Sequence, residues 1–150
     1  MKNVFDANDA KSYIERINKL EPAAKAQWGK MNAAQMLAHC NVTYDMALTD
    51  QYPKATGFKK FILKLLVKQV VVNEKPYKKN SRTAPDFLIA DNKDFAIEQK
   101  KITSYIENVQ ALGANHFDGK ESTSFGALNK TEWNNMFAKH LDHHLEQFGV

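Results

Sequence analysis

Three of the five histidines in this chain fall together, in Lys139-His140-Leu141-Asp142-His143-His144. His140 and His144 are four residues apart. On an α-helix of about 3.6 residues per turn they stack on one face, one turn apart, where they can grip a single divalent ion. Two imidazoles make half a metal site, so a third ligand has to come from elsewhere. The other histidines are His39, in Met36-Leu37-Ala38-His39-Cys40, and His116, in Asn115-His116-Phe117-Asp118. His39 lies in an apolar, helically patterned segment and His116 in a polar, Gly-flanked one, and His39 is the favoured partner.

The helix expected around the terminal cluster ranks its histidines. Trp133, Phe137, Leu141, Leu145 and Phe148 recur along one side of it, and the stripe centres between Phe137 and Leu141. At about 100° per residue, His144 and His140 fall within roughly 40° and 80° of that centre, while His143 is about 140° away. Spacing selects His140 and His144 over His143.

Two readings of this pattern compete. In one, the histidines are helix-terminal residues favoured by the macrodipole, or core-edge residues with satisfied ring nitrogens. A His-x-x-x-His pair without a glutamate inside it is common. In the other, His39, His140 and His144 converge from facing helices, where bundle proteins build metal sites. Three neutral imidazoles suit Zn²⁺, Ni²⁺ or another late divalent ion, with a fourth position open to water or substrate. Cys40 points about 100° away from His39 and reads as a buried small hydrophobe.

Positioning such a site takes helices, and the sequence punctuates them. A first helix is expected from about Asn8 to Leu20, behind the capping candidates Asp6 and Asn8 and closed by Glu21-Pro22. A second starts at Asn32, whose pairing with Gln35 makes a capping box, and ends at Asp50-Gln51-Tyr52-Pro53. It carries Leu37, Cys40, Tyr44 and Ala47 on one stripe and Met36, His39, Val42, Thr43 and Met46 on another, so it is expected to be buried on two sides.

From Gly57 to Val72 a shorter basic helix sets Phe58, Phe61, Ile62, Leu65 and Leu66 against Lys59, Lys60, Lys64 and Lys68, with Val70-Val71-Val72 helical or extended. Such a face can lie on an anionic membrane. The commoner outcome is a solvated lysine face, with Phe and Leu in the core or a dimer interface. Asn73 to Asp91, with Pro76 and Pro85, reads as a long loop of the kind that helps build sites. A fourth long helix is expected from about Asn92 to Leu112, with Gly113 as its stop. A polar loop follows, and Asn129 with Glu132 makes a second capping box before the last helix. Trp28, Trp133, Tyr44 and Tyr105 either line a pocket near the metal or pack in the core. Asp45 and Asp142 are placed on solvated helix faces.

Composition limits the classes. With 150 residues the chain fits one domain, 1–150, able to bury roughly two thirds of its unfolded surface. Hydrophobic and charged fractions of 43% and 25% argue against disorder. Residues Met1 to Asp6 hold no apolar leader, and the apolar run from Phe61 to Val72 is broken by Lys64, Lys68 and Gln69. A cytoplasmic protein without a membrane span is expected. Cys40 is the single cysteine, which excludes an internal disulfide. The net charge of +4 comes almost wholly from lysine, with Arg16 and Arg82 the only arginines, so nucleic acid is not an expected partner.

Two blocks, Trp28-Gly29-Lys30-Met31-Asn32-Ala33-Ala34-Gln35-Met36-Leu37-Ala38-His39-Cys40 and Phe125-Gly126-Ala127-Leu128 followed by Glu132-Trp133 and the run from Lys139 to Val150, give the chain its likeness. It resembles the DinB-like (YfiT-like) metalloenzyme superfamily, within a small subgroup. The resemblance implies an all-α, four-helix bundle of up-down-down-up type, commonly a homodimer, with the short basic helix and long loop inserted in the middle. It also implies a metal held by one histidine of the second helix and two of the last, which by position are His39, His140 and His144. Some members are thiol S-transferases that use low-molecular-weight thiols such as bacillithiol or mycothiol; others are maleylpyruvate isomerases or hydrolases.

Two functions follow as expectations. In the first, a divalent-metal-dependent enzyme activates a thiol or water at the open position against a small-molecule substrate. Lys30, Lys78 or Lys79 would bind the carboxylates of a thiol cosubstrate. In the second, the chain is a dimeric, non-enzymatic bundle that serves as a binding or stress-related module, with a structural metal or none.

Overall fold

Side-chain caps set the ends of the helices in the computed structural model, which describes residues 1–150. Helix α1 covers Ala7–Asn18, and its cap Asp6 accepts from the backbone N–H groups of Asn8 and Asp9. Helix α2 covers Ala33–Leu48. Asn32 Oδ1 accepts from Gln35 N at 2.8 Å while Gln35 Oε1 accepts from Asn32 N at 3.1 Å, which satisfies two backbone donors that a helix start leaves free. Between Gly57 and Val72 the chain is helical throughout: α3 (Gly57–Ile62), a π-helical turn (Leu63–Val67) and α4 (Lys68–Val72). The three valines at its end are therefore helical and not extended.

Helix α5 covers Phe95–Phe117 and α6 covers Lys130–Gln147, the latter behind the Asn129–Glu132 capping box. Gly113 stops the first run of α5, as expected, and a second short helical stretch resumes beyond it. The Gly113 φ of 72° breaks the helical path, and one further turn then delivers Phe117 to a fully buried position. The expected polar loop that follows holds a two-residue hairpin, with β1 (Glu121–Ser122) antiparallel to β2 (Gly126–Ala127).

The fold is all-α. Helix α5 packs on α1 and α2, and α6 packs on α2, α5 and α1, so the four long helices share one core. Tyr13 and Ile17 of α1, Met36, Leu37 and Tyr44 of α2, Ile102 and Ile106 of α5, and Phe137 and Leu141 of α6 are at most 1% exposed. Each contributes roughly 1.5–3 kcal/mol by leaving water. Tyr44 lies between the rings of Phe137 and Tyr105, at 4.8 and 5.8 Å.

Helix α2 is buried on more than one side, as its two stripes required. Cys40 and Tyr44 face the core, Asn41 and Asp45 face α5, and His39 and Thr43 face α6. Helix α4 is tied to α6 by side chains. The buried Lys139 ammonium donates to the carbonyls of Val70 at 2.7 Å and Asn73 at 2.6 Å, and Asn135 Nδ2 donates to the carbonyl of Val72 at 2.9 Å. These bonds satisfy carbonyls that the end of a helix leaves free. Burial pushes the Lys139 ammonium down to about 8. No helix is long and apolar enough to cross a membrane.

Candidate metal centre

One turn of α2 and two turns of α6 face each other where His39 meets His140 and His144. One ring nitrogen from each of the three lies within 4.8 Å of the others, an arrangement that could hold a metal ion. The closest pair is His39 Nε2 and His140 Nε2, at 2.9 Å, and the ring centroids are 4.5–4.8 Å apart. His39 and His144 are 5% and 7% exposed, and His140 is half-buried.

What each ring does with its other nitrogen decides the chemistry. His39 Nδ1 lies 2.8 Å from the carbonyl oxygen of Phe87, which can only accept, so Nδ1 carries the proton and Nε2 presents a lone pair. His144 Nδ1 lies 2.8 Å from Gln147 Oε1, and Gln147 Nε2 in turn donates to the Trp28 carbonyl at 2.6 Å. The Trp28 carbonyl therefore orients the amide, the amide fixes the proton of His144 on Nδ1, and its Nε2 is left bare. His140 Nδ1 is bonded to the Thr43 hydroxyl at 2.8 Å. A hydroxyl both donates and accepts, so His140 alone can switch tautomer: it donates from Nε2 to His39, or keeps its proton on Nδ1 and frees Nε2.

Charge is excluded here. Burial pushes all three imidazoles below their ordinary value of 6.5, His144 to about 3, and each further ring nearby adds to the cost of protonation. The rings are neutral at pH 7, the state that metal ligation requires. No carboxylate is bonded to any of them.

The Trp28-Gly29 step has a steric reason. Gly29 has φ +83°, and a Cβ there would come within 2.5 Å of Gln147 Nε2. Any side chain at 29 would displace the amide that orients His144.

Residues 2–149 match the family described as protein of unknown function (DUF1569). The chain belongs to this family. Neither the curated proteins nor the solved structures include a match. The DUF1569 match takes in all three histidines together with Trp28, Thr43, Phe87 and Gln147.

All three histidines line a cavity of about 1440 Å³. The loop after α4 supplies much of its wall, including Tyr77, Arg82 and the 3₁₀ turn Pro85–Phe87, whose Phe87 ring packs on both His39 and His140. Trp28 and Trp133 also line it, whereas Tyr44 is buried in the helical core and the half-buried Tyr105 stacks on it. Lys30 and Lys78 stand in the cavity wall, and Lys79 covers the face of Trp28 at 4.1 Å.

The remaining residues of interest stand apart. His143 packs edge-on against Trp28 and Tyr77 beside the trio, and His116 is exposed near Lys120. Cys40 is buried, its Sγ 3.8 Å from Met36 Sδ, and burial pushes its thiol well above the ordinary range. Asp45 and Asp142 are not on solvated faces: Asp45 is held by Tyr105 and Lys101 at 2.5 and 2.9 Å, and Asp142 by Tyr13 and Arg16 at 3.0 and 2.6 Å. Helical phase had put both outside the main apolar stripe, and tertiary partners cover them.

The orienting groups Thr43, Gln147 and the Phe87 carbonyl were not singled out from the sequence. Thr43 lies one turn after His39, and Gln147 three residues after His144, which was the available signal. The Phe87 carbonyl left no signal, because a backbone acceptor has no residue type.

Proposed function

We propose that this DUF1569 protein is a divalent-metal-dependent enzyme of the DinB-like kind, with His39, His140 and His144 as ligands and the adjoining cavity as the substrate site. The observation that carries this reading is the outward bond of each ring, which leaves Nε2 bare on His39 and His144 and lets the neutral His140 free its own Nε2 towards them. Nitrogen donors about 2.1 Å from one tetrahedral ion stand roughly 3.4 Å apart, a spacing bracketed by the 2.9 Å and 4.8 Å found here. A nitrogen-only donor set fits Zn²⁺ or Ni²⁺.

Such an ion, when bound, lowers the pKa of a thiol or water in its remaining position and so supplies a nucleophile at neutral pH. The chain's own residues do the rest. Phe87, Gln147 and Thr43 hold the ring planes, and burial keeps the rings uncharged. The apolar part of the cavity wall excludes water, and Lys30, Lys78 and Arg82 offer cations to the carboxylates of a substrate or a low-molecular-weight thiol.

Thiol transfer is favoured over hydrolysis by one feature of the wall. A hydrolase wants a carboxylate base beside the nucleophilic water. Asp86 is the single acidic side chain along the cavity, and it is exposed. The thiol would come from solution, since Cys40 is sealed in the core.

The test is the metal content of protein purified without a histidine tag, by elemental mass spectrometry. About one transition metal per chain is expected in the wild type and none in His39→Ala or His140→Ala. A wild-type chain that is metal-free and refuses added Zn²⁺ and Ni²⁺ would overturn the reading and leave three core histidines.

A further inference from the structure

The segment from Tyr52 to Asn73 contains no aspartate or glutamate and five lysines: Lys54, Lys59, Lys60, Lys64 and Lys68. Amphipathic patterning of this kind ordinarily turns its apolar side to the core. Here it does not. Six of the ten exposed large apolar side chains of the whole protein fall between Phe58 and Val70, with Phe58 at 78%, Leu66 at 64%, Leu65 at 61% and Phe61 at 58% exposure. Helix α3 packs chiefly on the π-helical turn that follows it, while α4 is the part anchored to α6. The result is a ridge tied at both ends, by the Ala55 N–H to the Thr123 carbonyl at 2.8 Å and by α4 on α6, with its outer face uncovered.

The charges on the ridge divide into two sets. Lys68 pairs with Glu132 at 2.7 Å and Lys60 with Glu121 at 3.4 Å, which tie the segment down. Lys54, Lys59 and Lys64 are exposed and have no acidic partner. Unpaired cations beside exposed Phe and Leu call for a partner that takes up apolar side chains and supplies negative charge together. A second copy of this chain supplies the first and not the second, since a two-fold contact through the ridge would set these lysines against their own counterparts. A polyanion without apolar depth leaves Phe58, Phe61 and Leu65 in water. An anionic bilayer surface meets both demands, with phosphate headgroups for the lysines and the acyl boundary for the apolar side chains.

We propose that Gly57–Val70 docks the protein peripherally on anionic lipid surfaces, with Phe58, Phe61 and Leu65 inserted and Lys54, Lys59 and Lys64 on the headgroups. The same segment also borders the large cavity through Lys59, Leu63, Val67 and Val70. Docking therefore brings the cavity wall to the lipid. The inference does not depend on the metal reading.

Co-sedimentation of the full chain with phosphatidylcholine vesicles, with and without phosphatidylglycerol, tests it. Binding is expected only to the anionic vesicles and should weaken as salt is added. Phe61→Glu with Leu65→Glu abolishes it; these sites are exposed, and circular dichroism checks that the fold survives. Lys59→Gln with Lys64→Gln weakens it roughly 25-fold, about fivefold for each lysine near an anionic surface. Equal binding to neutral vesicles, retention in either double variant, or no binding at all overturns the proposal. A dimer seen by sedimentation velocity in place of lipid binding, and broken by Phe61→Glu with Leu65→Glu, would assign the ridge to a second copy.

Discussion

Helix α2 buries two polar clusters on different sides, and they obey opposite rules. Towards α5, Asp45 is enclosed by the Lys101 ammonium at 2.9 Å and the Tyr105 hydroxyl at 2.5 Å, and one turn earlier Asn41 donates to Glu98 at 2.7 Å. Charge meets countercharge, and the Asp45 set is closed. Towards α6, His39 and the two histidines of that helix direct one nitrogen each to a fixed partner outside the cluster and turn the other inward, where only other imidazoles stand. A set whose members satisfy one another fastens helices. A set whose outward bonds are complete and whose inner nitrogens face only one another is the one that could hold a metal ion.

The comparison breaks most visibly with acid. In the metal-free chain the three imidazoles are held below their ordinary 6.5, whereas in the unfolded chain they titrate near it. Below 6.5 the unfolded state therefore binds more protons than the folded one. Stability should be fully present above that pH and fall as pH drops from 6.5 towards 3. The slope approaches about 1.4 kcal/mol per pH unit for each histidine that stays neutral. Urea unfolding at pH 7.5, 6 and 5, with metal chelated, measures it. A stability flat across that range would mean that the rings protonate in place.

The closed cluster should respond to mutation in stability alone. Asp45→Ala strips the Lys101 ammonium and the Tyr105 hydroxyl of their acceptor at a site 5% exposed, and should cost about 2–3 kcal/mol by chemical denaturation. Metal content per folded chain should not change. A loss of metal in this variant would couple the two sides of α2 and erase the distinction between the clusters.

How much of this the sequence disclosed depends on the range of each interaction. Caps are local, so Asn32 with Gln35 and Asn129 with Glu132 marked the starts of α2 and α6 within a residue. The trio His39, His140 and His144 was visible because ring stacking at four residues and an apolar stripe are both helical periodicities. Periodicity failed where tertiary partners decide. Asp45 looked solvated because Lys101 and Tyr105 lie on a helix far along the chain. For Phe58 and Leu65 the core was one of the places open, and their exposure excludes it, because no local pattern reports that nothing in the chain will cover them. Gly113 was legible as a stop, and only the short helical stretch beyond it, which ends at the buried Phe117, left no local signal. The two-residue strands were too short to alternate.

The finest test of the open cluster lies one bond beyond the histidines. If the Trp28 carbonyl orients Gln147 and Gln147 orients His144, then Gln147→Leu keeps the volume and all three imidazoles but releases the proton of His144 from Nδ1. Loss of such an outer partner typically weakens metal affinity 10–100-fold. Competition with a chromophoric chelator should therefore show weakened but stoichiometric binding, unlike the absence expected for His39→Ala. Gln147→Glu sharpens the case, because a carboxylate still accepts from Nδ1 while losing its donation to Trp28, so it should retain more affinity than leucine does. Equal losses in the two variants would mean that Gln147 merely packs there. Near wild-type affinity in both would show that the ring of His144 is held by the surrounding core and needs no partner to aim it.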